Sequence, residues 1–158
     1  MSYPPGPYPP TNELVAIAWL GQRVDGIVEG QVATTLPKDK AAWADEGFVQ
    51  VQALPGGSPD IDVPLRRPVL QVDLWAVTLD ANGNASNKPP WNKANRLAEL
   101  LRLATESQAY GKPVTLPDGY RGARVQAAYL IGEPTRVTDD PSGYARFTVD
   151  LALDWVPQ

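Results

Sequence analysis

Regular alternation of apolar and polar residues is the feature that most constrains the fold of this chain. Four segments alternate in this way: 48–54, 68–79, 124–131 and 144–155. In the second of them, Leu70, Val72 and Leu74 fall on one face, and Gln71 and Asp73 fall on the other. Since successive side chains of a strand point to opposite faces, each segment predicts a half-buried strand.

The last two strands are predicted to be antiparallel neighbours. The connection between them, 132–143, is rich in Gly, Pro, Asp and Thr, which is typical of a hairpin connection. Alternation assigns one face of the first strand of this hairpin to Val125, Ala127, Tyr129 and Ile131. A further short strand is expected around residues 31–35.

Two segments have helical spacing instead. Thr11 can cap a helix that begins at Asn12, and Gly21 is placed to end it. A second helix is predicted over residues 92–108, with its apolar stripe formed by Leu97, Leu100, Leu101 and Ala104. The order of elements predicts an α+β two-layer sandwich. Its mixed or antiparallel sheet has four to five strands, and two helices cover one face.

The domain organisation follows from length and proline content. A chain of 158 residues is close to the usual size of one domain. Residues 1–10 form a proline-rich arm with five prolines between positions 2 and 10, which excludes regular helix or central strand. The arm is either a loose terminus or a segment that docks on a neighbouring subunit. Residues 11–158 are expected to form a single domain.

Composition argues against an enzyme and against a cofactor. The chain has no His and no Cys, so the usual general base, thiol nucleophiles and the commonest metal ligands are missing. We therefore expect no catalytic residues, no metal and no nucleotide or organic cofactor. The net charge of −4 gives no basic stripe for nucleic-acid readout. No apolar run approaches the roughly 20 residues that span a bilayer, and no signal peptide precedes the domain, so a soluble protein without a membrane partner is expected.

One aromatic residue suggests a contact surface. Trp75 falls on the strand face opposite Leu70, Val72 and Leu74, where solvent is expected. Large aromatic residues on such faces are enriched at protein interfaces. A second small core beneath the long loops is the alternative interpretation.

The sequence resembles the tail terminator proteins of siphophages, which are long-tailed bacteriophages. The resemblance covers approximately residues 12–156 and rests on three strand motifs: FVQVQALPGGSPD, RPVLQVDLW and ARFTVD. A helix rich in Ala and Leu, NKANRLAELLRLA, lies between the last two motifs. Related neck and head-completion proteins share parts of this pattern, and the proline arm is not expected from the family.

The resemblance implies a structural, non-enzymatic role in the virion. It implies a homo-oligomeric ring, typically a hexamer, at the head-proximal end of the tail, assembled in the host cytoplasm. Such a ring binds the tail tube protein, stops tube polymerisation and offers its other surface to the head–tail connector or neck protein. DNA passes through the lumen without specific binding, and an acidic protein suits that passage because it repels phosphates.

Several residues are candidates for these contacts. We expect Trp75 and the pair Arg66 and Arg67 at the subunit interface. Trp75 would contribute buried apolar area, and the arginines would pair with carboxylates of the neighbouring subunit. Asp39, Asp45 and Glu46 are candidates for the lumen. The long connections 54–67, 80–91 and 132–143 would supply dissimilar contact surfaces for a head-to-tail ring.

Two other roles remain open at this point. The chain could be a head-completion or neck protein of the same particle. It could also be a carbohydrate-binding module that uses Trp75, Trp91 or Trp43 as a stacking platform for sugars.

Overall fold

The structure is a computed structural model that describes residues 6–55, 64–107 and 111–158. Its helices and strands in chain order are α1 (Asn12–Arg23), β1 (Val32–Ala33), β2 (Phe48–Ala53), β3 (Val69–Ala76), α2 (Trp91–Glu106), β4 (Lys112–Val114), β5 (Ala123–Val137) and β6 (Ala145–Pro157). Short 3-10 turns lie at Glu29–Gln31 and Lys40–Ala42. The turn predicted at 54–64 falls mostly on residues 56–63, outside the described residues.

The strands form one six-stranded sheet in the order β1-β2-β3-β6-β5-β4, curled into a half-barrel. The pair β1–β2 is parallel and the other pairs are antiparallel. The predicted α+β class with a mixed sheet is confirmed, but the sheet has six strands rather than four to five. The additional strand is β4, whose three residues include Pro113. Proline disfavours strand interiors, so the sequence predicted a loop there.

The centre of the sheet is the pair β3–β6. Leu70 lies opposite Leu151, and Val72 lies opposite Val149. All four side chains are buried in the main core, on the side that α1 and α2 cover, which we call the helix face. The other side is called the open face. The apolar stripe predicted for β3 is therefore confirmed.

The face predicted for β5 is wrong beyond Val125. A bulge between Val125 and Ala127 shifts the register against β6 and reverses the alternation. Leu130 consequently packs against the main core, whereas Tyr129 and Ile131 point to the open face and are largely exposed. An extra residue in a strand leaves no mark in the apolar pattern, so alternation alone could not locate it.

The predicted hairpin of β5 and β6 is confirmed, but its strands are longer than expected. They span 15 and 13 residues, which shortens the connection to 138–144. The carboxylate of Asp140 accepts hydrogen bonds from the backbone N–H of Ser142 at 2.9 Å and from its hydroxyl. Gly143, with φ of 76°, completes the reversal of the chain.

Helix α1 begins as predicted and ends later. The N–H of Leu14 donates to the side-chain hydroxyl of Thr11 at 3.2 Å, which is the predicted cap. The helix continues through Gly21 to Arg23. Gly21 permits a close approach: a Cβ at this position would lie 2.7 Å from the Cα of Glu29. The glycine therefore allows the following segment to cross the helix and does not end it.

Helix α1 lies within the curl of the sheet and contacts β1, β2 and β4. Its fully buried side chains are Val15, Ala16, Trp19 and Leu20. The carboxylate of Glu13 accepts a hydrogen bond from the N–H of Ala53 at 3.1 Å, at the end of β2. On the other side, the Gln22 amide exchanges hydrogen bonds of 2.8 and 2.9 Å with the backbone of Thr115. These bonds fasten the helix to both sides of the curled sheet.

The described part of the proline arm docks on its own subunit. The N–H of Tyr8 donates to the carbonyl of Gly119 at 2.8 Å, and the N–H of Arg121 donates to the carbonyl of Tyr8 at 2.7 Å. Pro10 is buried. Residues 8–10 are therefore held against their own subunit and are not a loose terminus. Residues 1–5 lie outside the described residues.

Replacing Leu101 by Asp should unfold the domain. The Leu101 side chain is fully buried between α2 and the sheet, and an unpaired charge there costs several kcal/mol against a total stability of about 5–15 kcal/mol. Thermal denaturation followed by circular dichroism measures the effect. Leu103→Asp is the matched control, since Leu103 is 57% exposed two residues further along the same helix. Equal melting temperatures for both variants would contradict the burial assigned to α2.

Candidate interaction surfaces

A second hydrophobic cluster covers one end of the open face. Trp75 is only 8% exposed and packs edge-on against Tyr144, with 6.1 Å between ring centroids. Tyr144 also packs against Trp43 at 5.3 Å. Phe48 and Val77 are buried in the same cluster. The connection before β2 supplies Trp43 and the hairpin turn supplies Tyr144, so two long loops fold back over the sheet.

The expectation that Trp75 stands outward for a neighbouring subunit is corrected by this packing. Its indole ring is enclosed by residues of its own chain, and the alternative of a second small core is confirmed. Alternation places Trp75 on the open face correctly. It could not show that residues more than 30 positions away in sequence would cover that face.

A polar network fastens the hairpin turn to the same end of the sheet. The guanidinium of Arg146 pairs with the carboxylate of Asp73 at 3.2 Å and with that of Asp140 at 3.3 Å. It also lies 5.0 Å from the centre of the Trp75 ring. The indole N–H of Trp75 donates to the side-chain oxygen of Gln50 at 3.0 Å. The largely buried Asp73 is therefore compensated by a charge-assisted partner.

The carboxyl group of Asp140 has a pKa below its ordinary value. Burial by itself raises this pKa. The side-chain and backbone hydrogen bonds from Ser142, together with the hydrogen bond and charge of Arg146, outweigh the effect of burial and lower the pKa. Ionisation of Asp140 is therefore more favourable in the folded chain than in the unfolded chain, and the ionised form stabilises the fold.

Arg66 and Arg67 lie at the opposite end of β3 from Trp75. Residue 66 precedes residue 75 by nine positions, which is roughly 30 Å along an extended chain. The backbone of Arg66 exchanges hydrogen bonds of 2.8 and 2.9 Å with Trp155, so this segment prolongs the sheet. Arg67 is exposed, and neither guanidinium forms an ion pair with any residue that the structure describes. The structure therefore does not bring the three interface candidates into one surface.

The three lumen candidates lie in the connection between β1 and β2. The Asp39 side chain accepts a hydrogen bond from the N–H of Ala41 at 3.1 Å and so begins a 3-10 turn. Asp45 and Glu46 are exposed and line a cavity of about 90 Å³ together with Lys93 and Arg96. Two nearby cations therefore offset the charge of this acidic pair.

The three tryptophans considered for sugar stacking do not offer a free ring face. Trp43 and Trp75 are 4% and 8% exposed. Trp91 is half-buried, with the guanidinium of Arg136 over its ring at 3.8 Å and Phe147 against it at 6.3 Å. A sugar platform needs an exposed aromatic face, so this geometry does not favour a carbohydrate-binding module.

An exposed apolar surface lies at the uncovered end of the open face. Tyr129 and Ile131 of β5 are 52% and 47% exposed. Ile131 lies opposite Asp150 of β6, whose carboxylate is half-buried. We call Tyr129, Ile131 and Asp150 the open-face patch. Alternation without the bulge assigns both apolar residues to the core, so the sequence alone did not predict this patch.

A second surface with an exposed apolar residue lies at the carboxyl ends of the two helices, next to β4. A groove of about 420 Å³ runs between the carboxyl ends of α1 and α2 and is lined by Gln22, Arg23, Asp25, Leu100, Leu103, Ala104, Ser107 and Lys112. We call it the helix-side groove. Leu103 lies on its rim and points away from the sheet. Leu103 falls outside the apolar stripe predicted for this helix, and that position is the signal by which its exposure could be predicted.

The described residues show no constellation of metal ligands. Over residues 6–55, 64–107 and 111–158, no group of three or more acidic side chains is placed to hold a metal ion. In the same ranges, no helix has the length and apolar character needed to cross a membrane. What these surfaces offer chemically is apolar area flanked by charge, which suits contact with another macromolecule.

Replacing Asp140 by Asn should lower stability at neutral pH by about 1–2 kcal/mol, because charge-assisted hydrogen bonds to Ser142 and Arg146 are weakened. A depressed pKa stabilises the fold above the unfolded value, 3.8, and that stability is lost as pH falls through the folded value. The difference between wild type and variant should therefore shrink below about pH 4. Urea denaturation at several pH values measures it, with Asp139→Asn as control for an exposed neighbour. A difference that is independent of pH would contradict this role.

Comparisons with known proteins add little to these observations. No family model and no curated protein matches the chain. One solved structure, which bears only a serial identifier instead of a descriptive name, shares 19% identity over 72% of this chain and 69% of its own, with a TM-score of 0.34. A likeness of that degree assigns neither a fold family nor a function. The functional assignment of this chain therefore rests on its own residues and surfaces.

Proposed function

We propose that this chain is a structural virion assembly protein that forms a ring on the tail tube of a long-tailed bacteriophage. The ring caps the tube, stops its polymerisation and provides the surface for joining the head, with a lumen through which DNA passes. Its partners are further copies of itself, the tail tube protein and the head–tail connector. The proposal begins from the sequence resemblance to tail terminator proteins.

The observation that carries the proposal is the presence of two dissimilar surfaces with exposed apolar residues on one subunit, one on the open face of the sheet and one at the carboxyl ends of the helices. The open-face patch exposes Tyr129 and Ile131 beyond the sheet, and the helix-side groove exposes Leu103 beyond the helices. A ring built head to tail needs two different surfaces that face in different directions.

The charge of the chain supports passage of DNA through such a ring. The net charge is −4, so the chain as a whole is acidic. Like charges repel the phosphate backbone, so DNA would slide without being held. Asp39, Asp45 and Glu46 remain the candidates for the lumen under this proposal.

Adding the purified protein to polymerising tail tube protein should stop tube elongation. The reason is that a bound ring covers the surface to which the next tube ring adds. Tube lengths measured by electron microscopy should become short, and a ring should be visible at one end only. Preformed tubes incubated with the protein should also fail to elongate when fresh tube protein is supplied.

Leu101→Asp serves as the control, since a chain that cannot fold should leave tube growth unaffected. A head-completion or neck protein would instead bind the connector and leave tube lengths unchanged. An unchanged length distribution at saturating protein would therefore reject the terminator role.

A further inference from the structure

Exposed large hydrophobic residues are few and fall into separate places. Among the described residues they are Tyr8, Val28, Leu103, Tyr120, Tyr129 and Ile131. Tyr8 and Tyr120 are joined by a β-bridge within the subunit. Val28 stands alone at the start of a 3-10 turn. The remaining three residues belong to the open-face patch and the helix-side groove.

The open-face patch combines apolar area with an uncompensated negative charge. Tyr129 and Ile131 are separated by one residue and stand on the same face of β5, about half exposed. Asp150 lies between Ile131 on one neighbouring strand and Gln71 on the other. No residue in the described ranges forms an ion pair with Asp150. A half-buried carboxylate in that position favours a cationic partner.

The helix-side groove has the opposite character. Its apolar residues are Leu100, Ala104 and, on the rim, Leu103, and its volume of about 420 Å³ is large enough for an aromatic side chain. Two cations, Arg23 and Lys112, line it against one carboxylate. The Nε of Arg23 is buried and has no hydrogen-bond partner among the described residues. The groove is therefore polar over most of its lining, with an apolar strip along α2 and two cations against one carboxylate.

The two surfaces are complementary in size and in charge. A tyrosine ring and its neighbouring isoleucine can lie against the apolar residues of the groove. In general, a buried aromatic side chain removes 150–250 Å² of surface from water. The carboxylate of Asp150 meets the cations that line the groove, which fixes orientation and excludes other registers. Because one surface lies beyond the sheet and the other lies beyond the helices, a single subunit cannot join them within itself.

We infer that the open-face patch of one subunit docks in the helix-side groove of a second copy of this chain. Tyr129 and Ile131 lie against Leu100 and Leu103 of the next copy, and Asp150 pairs with its Lys112. The contact joins two different surfaces, so its repetition builds a ring when the rotation between successive copies closes, and an open filament otherwise. The inference rests on the proposed function, because it names the subunit contact from which that ring is built.

Charge reversal tests the pairing. Asp150→Lys and Lys112→Glu should each weaken self-association by about tenfold or more, since each places like charges together. The double variant restores opposite charges and should regain self-association. Analytical ultracentrifugation over a wide concentration range measures the change, with thermal melting to show that each variant is folded. Lys88→Glu is the matched control, because it makes the same charge change at an exposed site outside both surfaces.

A second pair of variants keeps the test independent of the folding of Asp150→Lys. Tyr129→Ser and Leu103→Ser remove exposed apolar area from the patch and from the groove, and both should weaken self-association. Single variants that associate like the wild type, or a double reversal that fails to recover, would overturn the docking. A wild type that never self-associates overturns it as well. The tube-growth experiment is scored separately, so a protein that stops tubes through another contact sustains the proposed function while this contact is rejected.

Discussion

Burial of both faces of β3 is the constraint on which the rest of the structure depends. The strand is paired on each side, so its helix face must be covered by α1 and α2 and its open face by something else. Exposure of Trp75 on the open face would cost free energy, because its indole ring would stay in contact with water. An indole of 150–250 Å² contributes roughly 4–6 kcal/mol when removed from water. That is comparable to the net stability of a domain, and it explains why two long loops are ordered over this end of the sheet.

Much of the fold could be predicted from the sequence because alternation and helical spacing are local signals. Leu70, Val72 and Leu74 specify the buried face of β3 without knowledge of any partner. The same logic failed at β5, where one inserted residue after Val125 reversed the faces. It also missed β4, since three residues that include Pro113 become a strand only because β5 is there to pair with them. Bulges and short edge strands are set by tertiary pairing, and no local pattern encodes them.

The candidate surfaces were harder to predict than the core for a related reason. The face predicted for Trp75 is correct, but the predicted exposure is wrong. Loops that are distant in sequence cover this part of the open face and bury the side chain. Tyr129 had the wrong face, so the most exposed apolar residue of the hairpin was counted as buried. Arg66 and Arg67 were grouped with Trp75 by chemistry, although an entire strand separates them. Which residues are exposed depends on the register of every strand and on the loops that cover the sheet. An error of one residue in a predicted register therefore assigns the wrong side chains to the surface.

The short length of β4 has a consequence for the behaviour of the chain at high concentration. It pairs only with Ala123–Val125, and within the described residues no strand covers the outer edge of β5 beyond that point. Open edges of this kind can template uncontrolled aggregation through backbone hydrogen bonding. The uncovered part of β5 has an irregularity at each end. The first lies between Val125 and Ala127, and the second lies between Ile131 and Thr135, where the chain contains Gly132 and Pro134. The regular stretch between them covers only residues 127–131. Such interruptions limit the pairing of this edge with the same edge of another molecule, so the exposed part of β5 is a poor template for fibre growth.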